Sequence, residues 1–115
     1  MVEEDLQIVK EKWKNLLLRI EKDFGMVPDL QVILFLIGVQ ELGKGNQKFS
    51  KDEKQNLMHI GTCKVLGPSG YYKFKNRDEE GWPHYELVQP MPTMSLGEQD
   101  LMLRKAVIRY FEGTS

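Results

Sequence analysis

The sequence predicts a mainly α fold (α+β), with a three-helix core followed by an antiparallel β-hairpin and a C-terminal helix. Apolar residues recur at three- and four-residue steps in the first and last parts of the chain, which is typical of amphipathic helices. Ser-x-x-Glu patterns that begin at Ser50 and Ser95 mark two helix starts. Residues 71–88 alternate between apolar and polar around an acidic tip that contains glycine, and this pattern indicates a hairpin.

Length and composition predict a single domain over residues 1–115, since 115 residues with 41% hydrophobic residues suit one packed core. The net charge of −1 supplies no overall field that would attract nucleic acid or anionic lipid. The single Cys63 excludes an internal disulfide. The start lacks the pattern of a secretory signal, and the longest apolar run, 32–39, is too short to span a bilayer. We therefore expect a cytoplasmic protein with no membrane partner.

The first two helices are predicted over about residues 3–24 and from Pro28–Asp29 to about Leu42. Gly25 is expected to cap the C-terminus of the first helix. One face of the first helix carries its apolar side chains: Leu6, Val9, Trp13, Leu16, Leu17, Ile20 and Phe24. The second helix is apolar all around its axis, so we expect it at the centre of the domain.

The third helix is predicted to run from the Ser50 capping box to about Leu66, and the last helix from the Ser95 capping box to about Phe111. Besides its main apolar stripe, the last helix carries Leu101 and Ile108 on a separate face. Two interpretations remain open for this second face. It binds a protein partner or a second copy of the chain, or the helix is buried more deeply.

One register of the hairpin satisfies packing and charge together, and it forms the cross-strand pairs Tyr72–Leu87, Lys73–Glu86 and Phe74–Tyr85. The four apolar members are expected to face the helices, with the Lys–Glu pair outside. Trp82 is expected to pack at the base of the hairpin rather than stack on a ligand.

The hairpin tip is acidic, because it carries Asp78, Glu79 and Glu80. Carboxylates there are repelled by the closely spaced phosphates of nucleic acid. We therefore expect the tip to contact a basic surface of a protein partner.

The segment "KQNLMHIGTCKVLGPSGYYKFKNRDEEGWPHYELV" resembles the end of a winged helix-turn-helix domain, in which a helix, a tight turn and a hairpin follow one another. The resemblance implies a recognition helix at about 51–66, but Gln55 is the only common base-reading residue on its polar side. The phrases "LFLIGVQELGKG" and "KQNLMHIGTCKVLGPSGYY" are also similar to a small bacterial family of unassigned function. That similarity implies no site residues.

A lysine-rich segment separates the second and third helices and supplies the candidate contacts to phosphate or nucleic acid: Lys44, Lys48, Lys51 and Lys54. Glycines beside them leave backbone amides accessible, and a helix N-terminus follows. The GxxxxGK[ST] spacing of a phosphate-binding loop is missing. A solvated loop between helices is the simpler interpretation.

His59 and Cys63 lie one helical turn apart, and His84 is the other histidine. Together they suggest part of a zinc site or a Cys–His nucleophile pair. A closed zinc site needs four ligands, and Asp52 or an acidic residue of the tip is the candidate for the fourth. No third group that would orient a nucleophile pair is evident, so we expect a packed polar pair. No cofactor, catalytic residue or metal ligand is assigned.

Three functions follow from these observations. The first is a non-enzymatic protein-interaction module, which contacts a partner or a second copy through the acidic hairpin, the last helix or both. The second is a winged-helix-like nucleic-acid-binding protein that uses the lysine segment. The third is a metalloprotein or enzyme centred on His59 and Cys63.

Overall fold

The computed structural model describes residues 2–25, 27–45 and 47–113, without the side chains of residues 2–5 and Phe24. Its elements are α1 (Val2–Phe24), α2 (Leu30–Leu42), α3 (Lys51–Leu66), a 3₁₀ turn (Gly67–Ser69), β1 (Tyr72–Arg77), β2 (Pro83–Leu87) and α4 (Leu96–Gly113). This order confirms the predicted fold class. The predicted place of Phe24 on the apolar face lies outside the described side chains. Within the described ranges, no helix combines the length and apolarity needed to cross a bilayer.

Both capping boxes form as predicted. The Ser50 hydroxyl accepts a hydrogen bond from the Glu53 amide at 3.1 Å, and the Glu53 carboxylate accepts one from the Ser50 amide at 2.8 Å. Ser95 and Glu98 repeat this pair of bonds at the start of α4. Each box satisfies two backbone amides that the first helical turn leaves without a partner.

The start of α2 differs from the prediction, because Asp29 caps the helix instead of belonging to its first turn. Its carboxylate accepts a hydrogen bond from the amide of Val32 at 2.8 Å, and the helix begins at Leu30. The extended backbone of Asp29 suits this N-cap role. Pro28 therefore precedes the cap and does not occupy the first helical position.

Helices α2 and α3 cross in direct backbone contact. A Cβ atom on Gly38 would overlap the carbonyl oxygen of Leu57, and one on Gly61 would overlap the carbonyl oxygen of Leu34. The contacts run in opposite order along the two helices, so α2 and α3 are antiparallel. Gly38 follows Leu34 in α2 by four residues, and Gly61 follows Leu57 in α3 by four residues. In each helix the glycine and the leucine therefore lie on the same face.

Two groups of buried side chains flank this crossing. The larger one joins α1, α2, the end of α3 and α4, and contains Trp13, Leu16, Ile20, Ile33, Leu34, Ile37, Val65, Leu66, Ala106, Val107 and Ile108. The smaller one lies beneath the hairpin and contains Leu42, Leu57, Ile60 and Trp82. Helix α2 contributes to both, which confirms its predicted central position.

The second apolar face of α4 packs towards α1. Ile108 is only 8% exposed and packs in the larger group with Trp13 and Leu16 of α1. Leu101 is half-buried and lines a groove with Val9 and Trp13. At Ile108 the structure agrees with the second interpretation, deeper burial of the helix, because α1 covers that side of α4. Contact of Leu101 or Ile108 with a partner stays a prediction.

The hairpin has the predicted register, with the pairs Tyr72–Leu87, Lys73–Glu86 and Phe74–Tyr85, and an irregularity follows between Phe74 and Asn76. Tyr72 packs against the larger group and Tyr85 against the smaller one. Trp82 is buried, as predicted, and meets the Phe49 ring edge-on. The inward orientation expected for Phe74 and Leu87 is incomplete, because they are 50% and 51% exposed.

We predict that Gly38→Ala and Gly61→Ala each lower the free energy of unfolding by about 3 kcal/mol, because the new methyl group forces the two backbones apart. Gly97→Ala is the matched control, since its Cβ would meet only the Ser95 hydroxyl at 3.9 Å. The control should be neutral or more stable by up to about 1 kcal/mol. Urea unfolding followed by circular dichroism measures all three, and equal stability of the three variants would contradict the close crossing.

Candidate functional site

A cleft of about 440 Å³ opens between the hairpin and the helices beneath it. We call it the hairpin cleft. Its helical side is formed by Glu41, Lys64, Val65, Ala106, Arg109 and Tyr110, and its other side by Gly67, Pro68, Tyr72, Lys73, Phe74, Arg77 and Tyr85. A concave surface with apolar and aromatic walls and a few convergent polar groups is the usual form of a binding site.

Arg77 fixes the tip end of the hairpin to the C-terminus of α2. Its guanidinium donates to the carbonyl oxygens of Glu41 at 2.8 Å and Gly81 at 2.9 Å, with a longer contact of 3.5 Å to Leu42. The last carbonyls of a helix have no partner within the helix and carry partial negative charge, so a cation stabilises them. This clamp sets one end of the cleft.

Glu41 connects three helices at the floor of the cleft. The Tyr110 hydroxyl of α4 donates to its carboxylate at 3.1 Å, and the Lys64 amine of α3 lies 3.5 Å away. The Glu41 side chain is 20% exposed. The sequence placed Glu41 close to Lys44 along the chain, whereas the folded protein pairs it with Lys64.

The tyrosines of the cleft hold their protons to high pH. Burial, then the negative charge of Glu41 and the hydrogen bond to it, raise the pKa of Tyr110 to about 12. Burial and, next, the Glu41 charge also raise the pKa of Tyr85. At neutral pH both phenols are therefore hydrogen-bonding groups and not bases.

Arg109 also lines the cleft, and its guanidinium donates to the Ser69 hydroxyl at 3.2 Å. Across the described ranges, no carboxylate lies within ion-pair distance of Arg109. Lys64 differs in this respect because it faces Glu41, and the charge of Arg77 meets the carbonyls at the end of α2. Among the described residues, the cleft cations Arg109 and Lys73 have no acidic side chain within ion-pair distance.

The acidic tip is ordered by internal hydrogen bonds. One Asp78 oxygen accepts from the amides of Trp82 at 2.9 Å and Glu80 at 3.0 Å, while the other accepts from His84 at 3.0 Å. These hydrogen bonds lower the pKa of Asp78, and the one from His84 has the largest effect. All three predicted contact residues are exposed, and Asp78 differs from Glu79 and Glu80 because its carboxylate holds the turn.

The four lysines proposed for phosphate contact are all exposed. Lys44 runs past the hairpin tip, where its Cε lies 3.5 Å from the position of a Cβ on Gly81. Lys51 and Lys54 flank Asp52 and Glu53 at the start of α3, so acidic groups accompany them. The segment therefore has mixed charge at its C-terminal end.

His59 and Cys63 come together as predicted, with the Cys63 sulfur 3.4 Å from the His59 Nε2. Cys63 is 0% exposed, and burial raises the pKa of its thiol to about 11. His84 pairs with Asp78 at the tip instead of joining them. Within the described residues, no three potential ligands are grouped for a metal ion. The nucleophile hypothesis is disfavoured because a buried, protonated thiol does not attack.

Sequence reasoning identified the hairpin but missed the cleft beside it. The spacing of apolar residues in the last helix predicts Tyr110 in its main apolar stripe, together with Ala106 and Val107, and indicates no role for Arg109 or Lys64. A usable signal was present, since Ala106, Arg109 and Tyr110 lie on one face of a helix that follows the hairpin. That face combines a small residue with two side chains that form hydrogen bonds.

Comparison with protein-family models, with curated proteins and with solved structures gave no match.

We predict that Glu41→Gln lowers the pKa of Tyr110 and of Tyr85, because the variant removes a negative charge that disfavours the phenolate. The pKa of Tyr110 should stay above its ordinary value of 10.0, since burial is the larger cause. The raised folded-state pKa also means that the stability from the neutral phenol is lost as pH rises from about 10 to about 12. Absorbance titration of tyrosinate measures the change, with exposed Glu86→Gln as control. Superimposable titration curves would contradict the role given to Glu41.

We predict that the Cys63 thiol of the folded protein reacts far more slowly with an aromatic disulfide reagent than the same thiol in denaturant. Its burial keeps it protonated and out of reach at mildly alkaline pH. Absorbance of the released thiolate gives both rates. Equal rates for the folded and denatured protein would show that the Cys63 thiol is accessible and reactive in the fold, and would support the nucleophile hypothesis.

Proposed function

We propose that this chain is a non-enzymatic protein-interaction module, and that the hairpin cleft with the adjoining face of the hairpin is its contact surface. The observation that carries the proposal is the exposure of two large apolar side chains on that face. Phe74 and Leu87 are each about half exposed, although they share the face with Tyr72 and Tyr85. Aromatic side chains at the centre of an interface contribute much of its binding energy.

The contact surface is rigidly built, which favours binding. Phe74 meets the Tyr85 ring edge-on, with the ring centres 5.7 Å apart, and Tyr72 packs edge-on against His59. The Arg77 clamp fixes the hairpin to α2. A preorganised surface loses little conformational entropy when it binds, so more of the contact energy appears as affinity.

The polar groups that an enzyme would use are otherwise engaged. The Glu41 carboxylate is shared by Lys64 and Tyr110, and Cys63 is buried. The proposed partner surface therefore differs from the one that the sequence suggests. It is centred on the hairpin and does not include the last-helix position Ile108, which is buried.

We predict that Phe74→Ser weakens the binding of a protein partner by roughly tenfold or more, because a half-exposed aromatic residue at a contact surface is a common hot spot. Leu96→Ser is the matched control, since Leu96 is 83% exposed and does not line the cleft. The original chain and both variants are used as baits in lysates of the cells in which the protein occurs naturally, and the amount of each protein that they retain is measured. Sedimentation velocity tests a second copy as the partner.

A protein retained by the original chain and by Leu96→Ser, but not by Phe74→Ser, supports the proposal. Equal retention by both variants, or no retention at all from a chain that stays monomeric, contradicts it. Salt-sensitive binding to mixed-sequence DNA or RNA that is lost on Lys44→Ala and Lys48→Ala also contradicts it, and favours the nucleic-acid alternative.

A further inference from the structure

The charges of the hairpin cleft restrict the chemistry of its occupant. Lys64 is matched by Glu41, and Arg77 is matched by the backbone carbonyls at the end of α2. Arg109 donates to the neutral Ser69 hydroxyl. Among the described residues, Arg109 and Lys73 are the two cations of the cleft that form neither an ion pair nor a helix-end contact, and Arg109 is the guanidinium, next to a serine hydroxyl that can donate its own proton.

A guanidinium presents several N–H donors in a fixed planar fork that matches a carboxylate. The Ser69 hydroxyl adds a further donor beside it. Phe74 lines the same cleft with half of its surface exposed, and it offers an apolar surface for a neighbouring side chain. A ligand that carries an anionic group and an apolar group close together would bind the guanidinium of Arg109 and the ring of Phe74 at the same time.

We infer that the occupant of the hairpin cleft is a short acidic segment of a partner protein, in which an Asp or Glu carboxylate binds Arg109 and an adjacent bulky apolar side chain packs on Phe74. This inference rests on the proposed function and specifies the partner's chemistry. It also differs from the basic partner that the acidic tip suggests.

Nucleic acid is the other anionic macromolecule, and the cleft suits it less. Binding along a phosphate backbone uses several cations in a row. Among the described residues the cleft has two cations without an ion-pair partner, Arg109 and Lys73, and Glu86 lies opposite Lys73 in the hairpin. The same hairpin carries exposed Glu79 and Glu80 at its tip. A carboxylate needs only the one fork that Arg109 provides.

The test is a selection from a phage library of random peptides against the full chain, followed by anisotropy measurements with synthetic copies of the enriched peptides. We expect enriched sequences in which Asp or Glu adjoins an aromatic or large aliphatic residue. Replacing that acidic residue by its amide should weaken binding roughly tenfold or more, as should Arg109→Gln, because a charge-assisted hydrogen bond is lost. Arg109→Glu should bind Lys-containing versions of the peptides better than the acidic originals.

Lys105→Glu is the matched control, since it makes the same charge change on an exposed residue of α4 that does not line the cleft. It should leave affinity within about twofold once the ionic strength is near physiological, where distant charges are screened. Circular dichroism of each variant confirms that the fold is kept, and Arg109→Gln supplies the test if Arg109→Glu does not fold.

The outcomes separate the two proposals. Neutral or basic peptides that lose affinity on Phe74→Ser would overturn the acidic occupant and leave the interaction module standing. Acidic peptides that bind equally well to Arg109→Gln would overturn the role of Arg109. No enriched peptide, or peptides indifferent to every cleft variant, would overturn both proposals.

Discussion

The contact between the backbones of α2 and α3 is the constraint on which the rest of this protein depends. Gly38 and Gly61 each leave room for a carbonyl group of the opposite helix, so neither position accepts a side chain without displacement. Because the helices approach so closely, side chains emerge on both flanks of their shared seam. One flank meets α1 and α4, and the other receives Trp82 and the hairpin.

The cleft is a consequence of that arrangement. The end of α2 brings Glu41 between Lys64 of α3 and Tyr110 of α4, and its terminal carbonyls receive Arg77 from the hairpin. Polar contacts thereby hold the floor of a cleft whose hairpin side includes Tyr72, Phe74 and Tyr85. The groups that stabilise the floor are paired with one another, whereas Arg109 donates only to a neutral hydroxyl among the described residues and Phe74 is half exposed.

The sequence predicted the features that depend on near neighbours. The capping boxes follow from residues three apart, and the hairpin register follows from two short alternating segments whose packing and charge agree. Lys73 does lie opposite Glu86, although within the described residues the two charges form no close ion pair. Local geometry sufficed for each of these elements.

The features that join distant parts of the chain were not predictable in this way. Glu41 and Tyr110 are 69 positions apart, and Arg77 reaches a carbonyl 36 positions away. An apolar face on α4 also does not reveal what covers it, so Ile108 had two interpretations until α1 was seen to pack there. In the sequence, Gly38 and Gly61 are small residues among the apolar positions of two separate helices, and a close crossing depends on both helices together.

Native-state hydrogen exchange tests the central place of the α2–α3 crossing most directly. The account predicts that amides in the 33–42 and 57–66 segments exchange only through global unfolding and share one opening free energy. Amides of β1 and β2 should exchange through a smaller opening, since the hairpin rests on the α2–α3 pair. If α1 and α4 instead kept their protection while α2 or α3 opened at a lower free energy, the crossing would not be the element that organises the fold.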